Sequence, residues 1–160
     1  MSKPRTANPA LAISEADLAS ALALIGTEIH HQPLRSSALA RIMRETFHGS
    51  DAGGAWDWRM AYDMMQAAAI QVLLRGAGAT ADIANAKLLA SRLLTETRRS
   101  EQQIRLQQFS TPLPFAALAL RAAAVRKGET VLEPSAGTGA LAAFAARAGA
   151  TLVLNEIDPF

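Results

Sequence analysis

Two short runs of strand-forming residues, TVLE at 130–133 and TLVLNE at 151–156, flank the turn PSAGTG and an alanine-rich stretch at 140–148. This succession constrains the fold more than any other feature of the chain. Within the stretch, Leu141, Phe144 and Ala145 recur at helical spacing, and Gly149 stops it. A strand, a crossing helix and a second strand bring the chain back in its original direction, so the pattern predicts a β-turn-α-β unit, the opening of a parallel α/β sheet. Parallel strands place ligands beyond their C-terminal ends. Gly137 and Gly139 lie in the turn there, where a Cβ would obstruct tight geometry and close backbone approach.

Upstream, helical periodicity takes over. Half of the 160 residues are hydrophobic and only 5% are aromatic; Ala and Leu supply most of the apolar side chains, a mix that favours packed helices over a β-sandwich. Residues 1–13 read as a loose tail. Ser14 opens SEADLASALALIGTEIHH, where a capping serine, early acids and apolar residues at 18, 22, 25 and 29 predict a first helix. Pro33 suits the first turn of a second, PLRSSALARIMRETF, with Leu34, Ala38, Ile42 and Met43 inside and Arg35, Arg41 and Arg44 outside. After the loop HGSDAGG, a third helix is expected from about Trp56 through Leu74, and a fourth from near Thr80 to Arg105. Two prolines in FSTPLPF interrupt that pattern, and a short helix from about Phe115 to Val125 leads through RKGE into the first strand. The expected fold is mainly α: a helical bundle over 14–105, then, over 106–160, the first β-α-β unit of a Rossmann-like domain.

Composition narrows the function classes. With no cysteine, disulfides, thiolate nucleophiles and cysteine-held metals are excluded, and a reducing compartment fits. The N-terminus has no sustained apolar core, and no run approaches the roughly 20 apolar residues of a membrane span, so the expectation is a cytoplasmic protein without a membrane partner. Sixteen Lys and Arg against fourteen Asp and Glu give a net charge of only +2, which does not by itself indicate nucleic acid. Between Arg92 and Lys127, however, seven cations face two acids. Either this is a solvated helix face, or Arg92, Arg98, Arg99 and Arg105 contact phosphate. His30, His31 and His48 read as helix-end or surface residues, not metal ligands. Trp56 and Trp58 anchor the third helix, and Met60, Met64 and Met65 fill gaps. Ser135 lies outside G-x-S-x-G and has no nucleophile role.

Glu156 ends the second run 17 residues after Gly139, within reach of ribose hydroxyls beside the turn. Two cofactors fit this skeleton. GTGALA satisfies the dinucleotide pattern G-x-G-x-x-A at Gly137, Gly139 and Ala142. Glu133 and Pro134 argue against it, because a carboxylate at the end of the first strand repels a pyrophosphate. S-adenosylmethionine has no phosphate and carries a sulfonium and an α-ammonium, which an acid suits.

VLEPSAGTGAL resembles motif I of S-adenosylmethionine-dependent methyltransferases, especially the DNA adenine-N6 enzymes. LNEIDP resembles the segment carrying their ribose-binding acid, and QFSTPLPFAALA looks like their F-x-T-P motif. The resemblance implies that Phe109, Ser110, Thr111 and Pro112 border the methionine moiety and that Glu133, followed by Pro134, lies on its ammonium side. By the same resemblance Ala136, Gly137, Thr138 and Gly139 form the cofactor's backbone wall, Glu156 meets the ribose, and Ile157 and Asp158 approach the adenine. Over about residues 105–160 the chain is similar to the N-terminal region of the strawberry-notch-like methylase/helicase proteins of bacteria and phages. Those join a methyltransferase-like domain to a superfamily 2 helicase, and phage relatives have an antirestriction role. The implied reaction is methyl transfer to adenine N6 of DNA, with the base taken out of the duplex.

The family's (N/D/S)-P-P-(Y/F) motif has no counterpart, since Asp158-Pro159-Phe160 directly follows the second strand, and no helicase motif is present. No catalytic residue is therefore assigned. The expectation is an N-terminal segment of a longer DNA methylase/helicase protein, inactive alone, completed by the remainder of the same polypeptide or paired with another copy through open strand edges. The alternative expectation is a helical module that binds protein or nucleic acid; an NAD-linked enzyme is third.

Overall fold

Ser14 starts the first helix through a reciprocal cap. Its hydroxyl accepts the Asp17 N–H at 3.1 Å, and the Asp17 carboxylate accepts the Ser14 N–H at 3.4 Å. The computed structural model describes residues 13–76, 82–98 and 109–157. The expected tail up to residue 12, the expected start of the fourth helix at Thr80, and Arg99, Arg105 and Asp158 lie outside the described residues.

Among the described residues the chain is mainly helical, with one two-stranded parallel sheet. The order is α1 (Glu15–His31), α2 (Ser36–Thr46), α3 (Trp58–Arg75), α4 (Ile83–Arg92), α5 (Leu113–Ala123), β1 (Thr130–Glu133), α6 (Ala140–Arg147) and β2 (Thr151–Leu154). No helix in this set is long and apolar enough to cross a membrane.

Helix α1 buries Ala21, Ile25 and Ile29, while Leu18 and Leu22 are only partly covered. Helix α2 begins three residues after Pro33 rather than around it. The Leu34 N–H donates to the Arg92 carbonyl at 2.8 Å, which holds that stretch out of the helix while burying Leu34. The inner face of α2 is Leu39, Ile42, Met43 and Thr46. In α3 the Asp57 carboxylate accepts the Met60 N–H at 2.8 Å, so the helix starts two residues beyond Trp56. Trp56 is buried and donates its indole N–H to the Gly49 carbonyl at 3.0 Å. Met65 is fully buried and Met64 nearly so.

The fourth helix does not run to Arg105. It ends at Arg92, and Leu93 is extended. Tertiary contacts stop it. The Arg92 guanidinium donates to the carbonyls of Ile29 and His30 at the end of α1, the Arg92 carbonyl is taken by Leu34, and the Leu94 N–H points at the Met65 sulfur. The apolar positions at 93 and 94 are used, half-buried, from an extended segment.

Helix α5 starts two residues earlier than expected, with Pro112 at its N-cap and Pro114 in its first turn, where a missing N–H costs nothing. Ala124 closes it in the left-handed region, at φ +50°. That conformation crowds a Cβ, so Ala124→Gly is expected to raise stability by about 0.5–1 kcal/mol in a thermal or urea titration, after allowing for the looser unfolded chain.

The two strands pair in parallel, Thr130 opposite Thr151 through Glu133 opposite Leu154. The second strand stops at Leu154, and Asn155 and Glu156 leave the ladder. Val131 and Leu152 pack toward the core, whereas Leu132 is 65% and Val153 50% exposed on the opposite face. Among the described residues, side chains of all six helices join one hydrophobic core, in which Phe144 is the largest fully buried residue. At its edge Arg147 of α6 donates to the carbonyls of Leu73 and Gly76, at the end of α3.

Candidate functional site

The turn after β1 is closed by the residues that follow β2. The Asn155 N–H donates to the Glu133 carbonyl at 2.9 Å, the Ala136 N–H to the Asn155 carbonyl at 2.9 Å, and the Asn155 side-chain amide to the Pro134 carbonyl at 3.0 Å. Glu156 comes next and accepts the Gly137 N–H on its carboxylate at 2.7 Å. The acid and the glycine turn, 19 residues apart in sequence, are thus in direct contact.

Gly137 and Gly139 take φ +50° and +88°, and nothing lies within 4 Å of where a Cβ would sit on either. The turn requires glycine for its conformation, and the space in front of it is open. Apart from that of Thr138, its backbone donors have partners among the described residues. Besides Ala136 and Gly137, the Ser135 N–H meets the Glu133 carboxylate at 3.3 Å and the Gly139 N–H meets the Ala136 carbonyl at 2.8 Å. Two carboxylates rest on this turn, one from each strand end. Its field is therefore negative, the reverse of a phosphate-cradling loop.

The F-S-T-P segment leads directly into α5. Helices α5 and α6 pack side by side, and the chain just after each of them meets where the Gly128 N–H donates to the Gly149 carbonyl at 2.9 Å. Phe109, Ser110 and Pro112 line an open cleft of about 310 Å³. Its remaining walls come from the helical part, chiefly Gln66 of α3 and Leu93 to Glu96 after α4, and include no residue of the glycine turn. The residues singled out in the sequence thus form two groups, the turn with Glu133 and Glu156, and the cleft with Phe109, Ser110 and Pro112, whose lining does not include Thr111. Thr138 is half-buried, and Ile157 is 77% exposed.

Two of the four arginines weighed for phosphate contact lie within the described residues. Arg92 caps α1, as described above. The Arg98 guanidinium lies 4.3 Å from the centroid of the Trp58 ring, whose indole N–H donates to Asp51 at 3.1 Å. Sequence reasoning missed Asn155, which ties the two strand ends together, and the Gln66–Glu96 pair of the cleft, a 3.2 Å hydrogen bond between residues 30 apart. Asn155 carried one usable signal, its place directly before the strand-end acid. Gln66 and Glu96 carried none, since their partnership depends on where α4 stops.

Comparison of the chain with protein-family models, with curated proteins and with solved structures returned no match.

Proposed function

We propose that residues 109–157 form the S-adenosylmethionine-facing opening of a Rossmann-like domain, and that the chain acts as part of a DNA adenine-N6 methyltransferase of the methylase/helicase type. The observation that carries this reading is the carboxylate pair on the glycine turn. Glu133 and Glu156 occupy the Ser135 and Gly137 N–H groups, which a dinucleotide's pyrophosphate would need, and Glu133, for which the dinucleotide pattern has no place, repels that dianion. A sulfonium and an ammonium gain from the same charges.

The residues fit the cofactor in a second respect. The open space before Gly137 and Gly139 leaves room for a ligand to lie against the backbone, and Glu156 stands at the strand end with a carboxylate suited to ribose hydroxyls. Bound there, S-adenosylmethionine would supply a methyl group activated by its sulfonium. The chain's own residues hold and orient it: the turn as a wall, Glu156 toward the ribose, Glu133 toward positive charge. The exposed Leu132–Val153 pair is consistent with a larger sheet, because parallel sheets are covered on both faces.

The test is an amide NMR titration of the full chain with S-adenosylmethionine and with NAD. S-adenosylmethionine is expected to shift Gly137, Thr138 and Gly139, and Glu156→Ala to weaken it about tenfold or more, the worth of a charged hydrogen bond. NAD is expected to leave those amides in place. Stronger response to NAD would reverse the assignment. No methyl transfer to DNA is expected from the chain by itself, and incorporation of tritium from labelled cofactor would contradict that.

A further inference from the structure

Of the seven cations between Arg92 and Lys127, Arg92 is engaged at the end of α1 and Arg98 lies on Trp58. The last three are placed differently. Arg121, Arg126 and Lys127 fall within seven residues of chain, around the end of α5 and the turn into β1, and all three are exposed. Their side chains make no hydrogen bond or ion pair among the described residues.

The turn leaves these charges uncompensated. Its one acid, Glu129, folds its carboxylate back onto the Arg126 N–H at 2.9 Å. Gly149, at φ +85°, lies against the Lys127 stem so closely that a Cβ there would meet Lys127 Cγ at 2.9 Å. The stem is held while the residue stays exposed. No acid lies on α5, on α6 or among residues 146–151. Helix α1, with Glu15 and Asp17 in its first turn, does not pack against α5, α6 or either strand. The residues outside the described ones add two acids against four cations to the chain.

The chemistry of the patch selects a partner. Residues 121–129 and 146–151 expose no large apolar side chain. Protein interfaces are anchored by aromatic and other large groups in desolvated pockets, and membrane-bound surfaces insert apolar ones. A phosphodiester backbone requires only cations that neutralise its charges.

We propose that Arg121, Arg126 and Lys127 form a contact surface for the phosphodiester backbone of nucleic acid, independent of base sequence. It lies where β1 begins, and the glycine turn lies where β1 ends, roughly 10 Å along a strand of this length. The surface therefore does not rest on what the turn binds.

The experiment is a fluorescence anisotropy titration of a short labelled DNA duplex with the full chain. Three phosphate contacts give a slope of log K against log salt of about −2.7, so a rise from about 50 to about 200 mM salt is expected to weaken binding about fortyfold. Each single change, Arg121→Gln, Arg126→Gln or Lys127→Gln, is expected to remove about 0.9 of that slope, and the triple variant nearly all of it. A second triple variant, Arg35→Gln, Arg44→Gln, Lys87→Gln, has the same net charge and is expected to leave the affinity nearly unchanged. Both should keep the circular dichroism spectrum of the wild type. A single strand is expected to bind with the shallower slope of about −2.1, as its lower charge density requires. Absence of duplex binding at about 50 mM salt, or equal losses in the two triple variants, overturns the proposal. So does binding of polyglutamate or of anionic phospholipid vesicles as tight as that of DNA, because the surface would then follow charge alone.

Discussion

Phe144→Ala is expected to lower stability by about 3–5 kcal/mol, the range for truncating a buried phenylalanine. Phe144 is 1% exposed and sits on α6 where that helix meets α3 and α5. Its neighbours on α6, Ala140, Ala143 and Ala145, are also buried, and too small to close around the void. A domain of ordinary stability has about 5–15 kcal/mol in total, so this one change removes a large part of the margin. A urea titration reads the loss as a lower midpoint with little change in slope. Phe144→Leu, which retains most of the volume, is expected to cost about 1–1.5 kcal/mol. Near-equal costs for the two variants would mean that α6 is not packed as described. The glycine turn leads directly into α6, so the candidate site inherits its position from this aromatic anchor.

Arg147→Ala should have the next largest effect, about 2–3 kcal/mol. The guanidinium donates to the Leu73 and Gly76 carbonyls where α3 ends and leaves carbonyls under-bonded, the Leu73 carbonyl otherwise accepting, among the described residues, only the Gly76 N–H at 3.3 Å. Each hydrogen bond from a charged donor is worth about 1.5–3 kcal/mol when its loss strands the acceptor, and partial exposure reduces the sum because water replaces some of it. The cation also faces the negative end of the α3 dipole. Arg147→Lys keeps the charge but loses the fork that spans two carbonyls, so it should recover about half of the loss. Denaturant midpoints of the wild type and both variants check this order. Lysine matching arginine would show that charge alone matters.

Much of the fold was legible in the sequence where local chemistry decides it. The capping serine of α1, the strand TVLE and the stop at Gly149 come from residues acting on their immediate neighbours. The limit of α4 was not legible. Its apolar spacing continues past Arg92, but the Arg92 side chain and carbonyl are engaged by α1 and by Leu34, and those partners lie about 60 residues away. The same holds for Arg147, which as a sequence position looks like an exposed cation in the last turn of a short helix.

The candidate site divides in the same way. Glycines at positive φ and an acid at a strand end leave a signature in the sequence, and the structure brings Gly137 and Glu156 into contact. Glu96 has no such signature. It appears in the sequence as one of two acids among seven cations, and only the extended course of the chain after Leu93 turns it toward the cleft.

The continuous core carries a consequence for how the chain is joined. Covalent order places the glycine-turn region after the helices, yet Phe144 and Arg147 attach it to α3 through packing and hydrogen bonds that do not need the peptide link between residues 98 and 109. A chain nicked there is expected to persist as a two-piece complex, seen as co-elution of the two fragments in gel filtration; separate elution would show that packing alone does not hold them.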